Sequence, residues 1–166
     1  MAEQDNIEQD GRADFDFLMG RWKVHHRRLR ERLKGSRDWE EFEGTMVCQK
    51  VLGGLGNVDE GTLPRESGFA RGMTVRLFDP KARQWSLYWA DSANGWNWNL
   101  PQIGSFRDGR GEFYAHEPFE GRHIFSRYIW SEMTETSCRW EQAFSEDGGK
   151  TWETNWIMDF TRIQQE

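Results

Sequence analysis

At 166 residues the chain has the length of one domain, with enough mass for a real core. A formal net charge of −6 excludes a sequence-independent nucleic-acid binder, and no apolar run has the length of a membrane-spanning helix. Hydrophobic residues make up only 36%, yet 10 Trp and 11 Phe bring unusual area to whatever interior forms.

Residues 1–13 read as an acidic, frayed tail unlike a signal peptide, and the folded unit is expected over 14–166. Asp14 to Gly20 is a short apolar lead-in. Strands are expected at 21–33 and 38–51 around Lys34, Gly35 and Ser36. Leu52 to Asn57, rich in glycine but without the Gly-Lys-Ser/Thr ending of a phosphate loop, reads as a flexible connection or a lid. Further strands are expected at 71–78, 84–91, 102–106, 111–117, 122–131, 138–145 and 151–162, joined by turns rich in Gly, Asp and Pro. Helical periodicity is absent throughout. The fold class is therefore all-β, a single antiparallel β-barrel of about nine or ten strands. Two cysteines, Cys48 and Cys138, form neither a metal motif nor a disulfide framework, so a cytoplasmic chain with free thiols is expected.

The last turn carries a specific pattern. Ser145, Asp147, Gly149, Thr151 and Trp152 match the Asp-box, a folded hairpin whose Ser and Asp bind turn backbone. One copy in so short a chain is a structural hairpin rather than a propeller blade. Alternation then assigns faces. The first hairpin places Trp22 opposite Cys48, Val24 opposite Met46, His26 opposite Gly44 and Arg28 opposite Phe42. The second gathers Met73, Val75 and Leu77 with Trp85, Leu87 and Trp89. The third gathers Trp140, Gln142 and Phe144 with Trp152, Thr154 and Trp156. Three aromatic faces would line one interior.

A few polar groups interrupt that interior: His26, Arg28, Ser126, Tyr128, Gln142, Thr154 and Asp91. A guanidinium on an inward face needs a partner or a route to water. One reading has Arg28 at the barrel mouth, paired with Asp91 or Glu40. Another has His26 and Arg28 hold the anionic end of a ligand whose body lies on tryptophans. The candidate ligand-binding set is His26, Arg28, Trp89, Tyr128, Trp130, Trp140, Gln142 and Trp156, the partner being a small apolar or aromatic molecule. The alternative is a cofactor-independent lyase, isomerase or hydrolase using His26 as acid and base, oriented by Asp91, with Arg28 stabilising charge. A third is an interaction module with a filled core. No metal is expected: His25 and His26 point to opposite faces, and His116 with His123 lack a third ligand. Asn94 to Asn99, rich in amides and indoles, also suits a sugar-binding rim. A monomer or homodimer is expected.

Phe17, Leu18, Met19, Gly20, Arg21 and Trp22 resemble the Gly-x-Trp opening of calycin-type barrels, which include lipocalins and fatty-acid-binding proteins. Four segments in order, 22–33, 52–57, 139–145 and 153–156, resemble a bacterial domain-of-unknown-function family with a calycin-like barrel. That resemblance implies a fold and no catalytic residues. Nitrobindin-type haem barrels share the general plan, but no position here matches their proximal histidine, and no cofactor is expected.

Overall fold

Two tight turns show how the chain doubles back. Asp108 and Gly109 have φ of 52° and 73°, and Glu120 and Gly121 have 47° and 81°. Positive φ at both central residues matches the right-handed twist of the strands it joins, and glycine at the second position adopts it without a Cβ clash. The computed structural model describes residues 9–96 and 100–164. Its strands are β1 (Gly20–Leu29), β2 (Trp39–Val51), β3 (Gly56–Arg65), β4 (Gly68–Asp79), β5 (Gln84–Asp91), β6 (Gly95–Trp96), β7 (Gln102–Arg107), β8 (Arg110–Phe119), β9 (Arg122–Ser131), β10 (Ser137–Ser145) and β11 (Glu153–Arg162). They run antiparallel in the order β4-β3-β2-β1-β11-β10-β9-β8-β7-β5, and β4 pairs with β5 to close the ring. Ten strands thus form the expected all-β barrel, with the two-residue β6 attached to β5.

One end is floored by rings. Phe15, Trp22, Trp85, Phe113 and Trp130 are almost wholly buried. Trp22 donates its indole N–H to the Leu18 carbonyl at 2.9 Å, and the Arg162 guanidinium lies 4.2 Å over its ring. Arg162 also donates to the carbonyls of Phe17, Met19 and Glu135, which ties the lead-in to the last strand. Of the expected tail, residues 1–8 lie outside the described residues; further on, the Gly11 carbonyl accepts a hydrogen bond from Trp85 at 3.2 Å.

Four expectations need correction. Leu52 to Asn57 is neither lid nor loose connection: Leu52–Gly54 is a single 3-10 turn, and β3 begins at Gly56. No strand was expected there because its inward side chains, Asn57 and Asp59, are polar. The second hairpin is slipped by one residue, pairing Thr74 with Trp89, Arg76 with Leu87 and Phe78 with Trp85. Met73, Val75 and Leu77 therefore face outward, and Arg76 faces in. The first hairpin is displaced by two, with His26 opposite Phe42 and Arg28 opposite Glu40, which leaves its faces intact.

The fourth correction concerns β11. Trp140 pairs with Met158 and Gln142 with Trp156, but Ala143 pairs with Thr154. Asn155 is the extra residue of a β-bulge. It is fully buried and accepts a hydrogen bond from Gln142 at 2.8 Å. Trp156 therefore faces inward while Trp152, four residues away, lies outside under the Arg127 guanidinium at 4.3 Å. The Asp-box turn forms as expected: Asp147 accepts from Thr151, Ser145 and Lys150, and these bonds hold its carboxyl at about 2.

Candidate functional site

Above the aromatic floor the barrel holds a cavity of about 450 Å³, within the usual range for small-molecule sites. All eight residues expected to bind ligand line it: His26, Arg28, Trp89, Tyr128, Trp130, Trp140, Gln142 and Trp156. Thr154, moved off the inward row by the bulge, does not. Alternation brings the rings together edge to face. Tyr128 meets Trp140 at 4.9 Å, Trp140 meets Trp156 at 5.5 Å, and Trp156 meets Trp89 at 6.1 Å. Such pairs add cohesion beyond the area they bury and hold a flat wall in place. Trp89 in turn lies over Gly72, where a Cβ would come within 2.3 Å of its ring. Gly72→Ala is expected to displace Trp89 and cost about 1–3 kcal/mol, read by denaturant unfolding and by the indole emission.

His26 and Arg28 are joined through Trp156. The indole N–H of Trp156 donates to His26 Nδ1 at 3.1 Å, and the Arg28 guanidinium lies 5.0 Å over the Trp156 ring. His26 stacks on Phe42 with centroids 4.4 Å apart and is only 3% exposed. Burial, with a smaller contribution from His25, pushes its pKa down to about 3. It is therefore neutral near pH 7, with Nδ1 occupied and Nε2 carrying the proton. In that state it offers a ligand a neutral N–H donor, while its Nδ1 lone pair is taken up by Trp156. Asp91 does not orient it. That carboxylate accepts from the Trp89 indole and from the backbone of Ala93 and Asn94. Arg28 pairs with Glu40 at 3.8 Å.

The cavity also holds charged and polar residues that the sequence reading missed. Arg76, 3% exposed, donates to Asp59 and to Asn57, and its guanidinium lies over the rings of Phe15 and Trp130. Arg32 and Arg65 line the same cavity without an ion-pair partner among the described residues, and burial lowers the Arg32 pKa. Gln102 donates to Ser126 at 2.5 Å, and Ser126 donates to Glu117 at 2.7 Å. Tyr128 is pushed up by burial and then by Glu117. A charged residue on an otherwise apolar alternation was the available signal for Arg76, had the hairpin been set one residue over. Arg32 and Arg65 sit beyond or at strand ends, where alternation says nothing.

Other chemistry is sparse. Burial pushes the thiols of Cys48 and Cys138 up to about 12, which leaves them unreactive near neutrality. The rings of His116 and His123 are 5.2 Å apart, and among the described residues no group of three or more His, Cys, Asp or Glu is placed to hold a metal ion. The amide- and indole-rich segment at 94–99 is described only to Trp96; Asn97, Trp98 and Asn99 lie outside the described residues. No described helix is long and apolar enough to cross a membrane.

No family model matches the chain, and neither does any curated protein. Among solved structures, an S-type phycobiliprotein lyase from Guillardia theta is similar with a TM-score of 0.59 at 11% identity, covering 96% of this chain and 98% of that one. A redesigned β-barrel is similar at a TM-score of 0.45 and 10% identity, covering 90% and 94%. At such identities the lyase likeness speaks for architecture alone: the chain folds as a closed, calycin-like antiparallel barrel with an aromatic-walled cavity.

Proposed function

We propose that the barrel binds a small, flat, largely apolar or aromatic molecule that carries an anionic group. The observation that carries this reading is the charge placement in the cavity. Asp59 offsets Arg76 and Glu40 stands beside Arg28, whereas among the described residues neither Arg32 nor Arg65 has a carboxylate within ion-pair distance, Glu117 acting on Arg32 only at longer range. A ligand body on Trp89, Trp140 and Trp156 would present its acid to those two guanidinium groups, whose forked donors suit carboxylates and sulfonates. The anion-holding role expected of His26 thus passes to arginines. The phycobiliprotein lyase with the same architecture adds a conjugated tetrapyrrole acid to the probes worth trying. Membership in the bacterial family of unknown function rests on the four sequence segments. Free, buried cysteines support placing this monomer or homodimer in a reducing cytoplasm.

Anilinonaphthalene sulfonate and neutral phenylnaphthylamine share a ring outline and differ in the sulfonate, so they separate cavity from charge. Both are expected to bind with energy transfer from tryptophan. Replacing Arg32 and Arg65 together by Gln should weaken the sulfonate about tenfold or more, and the neutral probe hardly at all. Silence from both probes would remove the pocket reading, and equal loss for both would remove its anionic part.

A further inference from the structure

The chain of contacts from Arg28 through Trp156 to His26 has a free end. An indole N–H can only donate, so His26 Nδ1 must be the acceptor in the 3.1 Å contact and the ring proton must sit on Nε2. Nε2 has no hydrogen-bond partner among the described residues, although the side chain is 3% exposed and lines the cavity. Gly44 flanks Nε2 without a side chain: a Cβ there would press on the nitrogen at 3.4 Å and on the carbonyl and hydroxyl of Thr62, which border the same spot. A donor without a partner in the barrel wall is free to bond a guest, and this one is held rigidly by the Phe42 stack on its face and the Trp156 bond on its other nitrogen. The Arg28 cation over the indole draws electron density from Trp156 and strengthens each donor along the line.

We infer that His26 donates a hydrogen bond from Nε2 to a carbonyl oxygen on the body of the bound molecule, so that the cavity selects an aromatic acid bearing a ring carbonyl, of the quinone, aryl-ketone or lactam type. This rests on the pocket reading above and deepens it. A carbonyl suits the position better than a second anion, because the imidazole is neutral and the nearest guanidinium, Arg28, already stands beside Glu40. Trp156 is then a positioning residue. It fixes which nitrogen bears the proton and never needs to touch the carbonyl.

Anthraquinone carboxylate and anthracene carboxylate have the same outline and the same anion, and differ in two ring carbonyls. In calorimetric titrations of the full chain, the quinone acid is expected to bind at least about tenfold more tightly. His26→Leu should erase that preference, read as the ratio of the two affinities in the same variant. Trp156→Phe should reduce the preference, and NMR of the ring nitrogens should then show a tautomer mixture in place of the single Nε2-protonated form. Equal binding of the two acids by the wild-type chain overturns the inference. So does a preference that survives His26→Leu, or a wild-type spectrum with Nδ1 protonated. These wild-type measurements decide the matter even if a variant fails to fold. If neither acid binds and anilinonaphthalene sulfonate is silent as well, the pocket reading falls and takes this inference with it; sulfonate binding without carbonyl preference removes the inference alone.

Discussion

Acidification from pH 7 to 5 is expected to cost the folded chain about 2 kcal/mol through His26 alone, rising to about 4–5 kcal/mol near pH 3. An unfolded histidine takes up its proton near 6.5, whereas His26 in the fold resists until about 3. Between those values the unfolded chain binds a proton that the folded chain refuses. The stability is complete above the unfolded value and drains away as pH falls towards the folded one. Urea midpoints of the wild-type chain and of His26→Leu, measured from pH 7 to 4, isolate the effect because every other titrating group is common to both. The variant should be the less stable at pH 7, and the gap should close or reverse on acidification. Parallel curves would mean that His26 is not buried in neutral form.

Arg76→Met is expected to destabilise the barrel by about 3–5 kcal/mol, because it leaves Asp59, 7% exposed, without its cation. The pair itself contributes much less than that. Two charges lose most of their attraction to desolvation, so replacing both together, Arg76→Met with Asp59→Leu, should recover the greater part of the loss. Denaturant unfolding of the two single variants and the double variant forms a cycle. Additive losses, with no recovery in the double variant, would show that the two side chains do not compensate each other. The same cycle carries a functional readout, since Arg76 lines the cavity and its movement should alter probe binding.

Much of the site was legible in the sequence because strand alternation is strict. His26, Arg28, Trp140, Gln142 and Trp156 fall on one parity within their strands, and an error of two residues in the first hairpin left them inward. Errors of one residue were not forgiven. Setting the second hairpin one position off turned Arg76 outward on paper and hid its partner on β3, itself concealed by inward Asn57 and Asp59. Local patterning has no way to see that two polar residues on separate strands will bury each other. His26 shows a different limit. Its place was readable, but its protonation depends on Phe42 and Trp156, which reach it only after folding.

The bulge at Asn155 lets β11 carry two tryptophans of equal parity on opposite faces. Upstream of it Trp152 is held outside by Arg127, and downstream Trp156 is held inside beside His26, although both have the same parity. Deleting Asn155 would absorb the bulge: Trp152 and Trp156 would then stand three apart, and strict alternation would still put one outside and the other inside. The cavity would keep its indole and the donor that orients His26, and would lose the Gln142–Asn155 bond. A barrel of this kind can thus absorb the loss of one codon at the bulge with its lining in place, whereas straightening the bulge at full length would turn Trp156 outward.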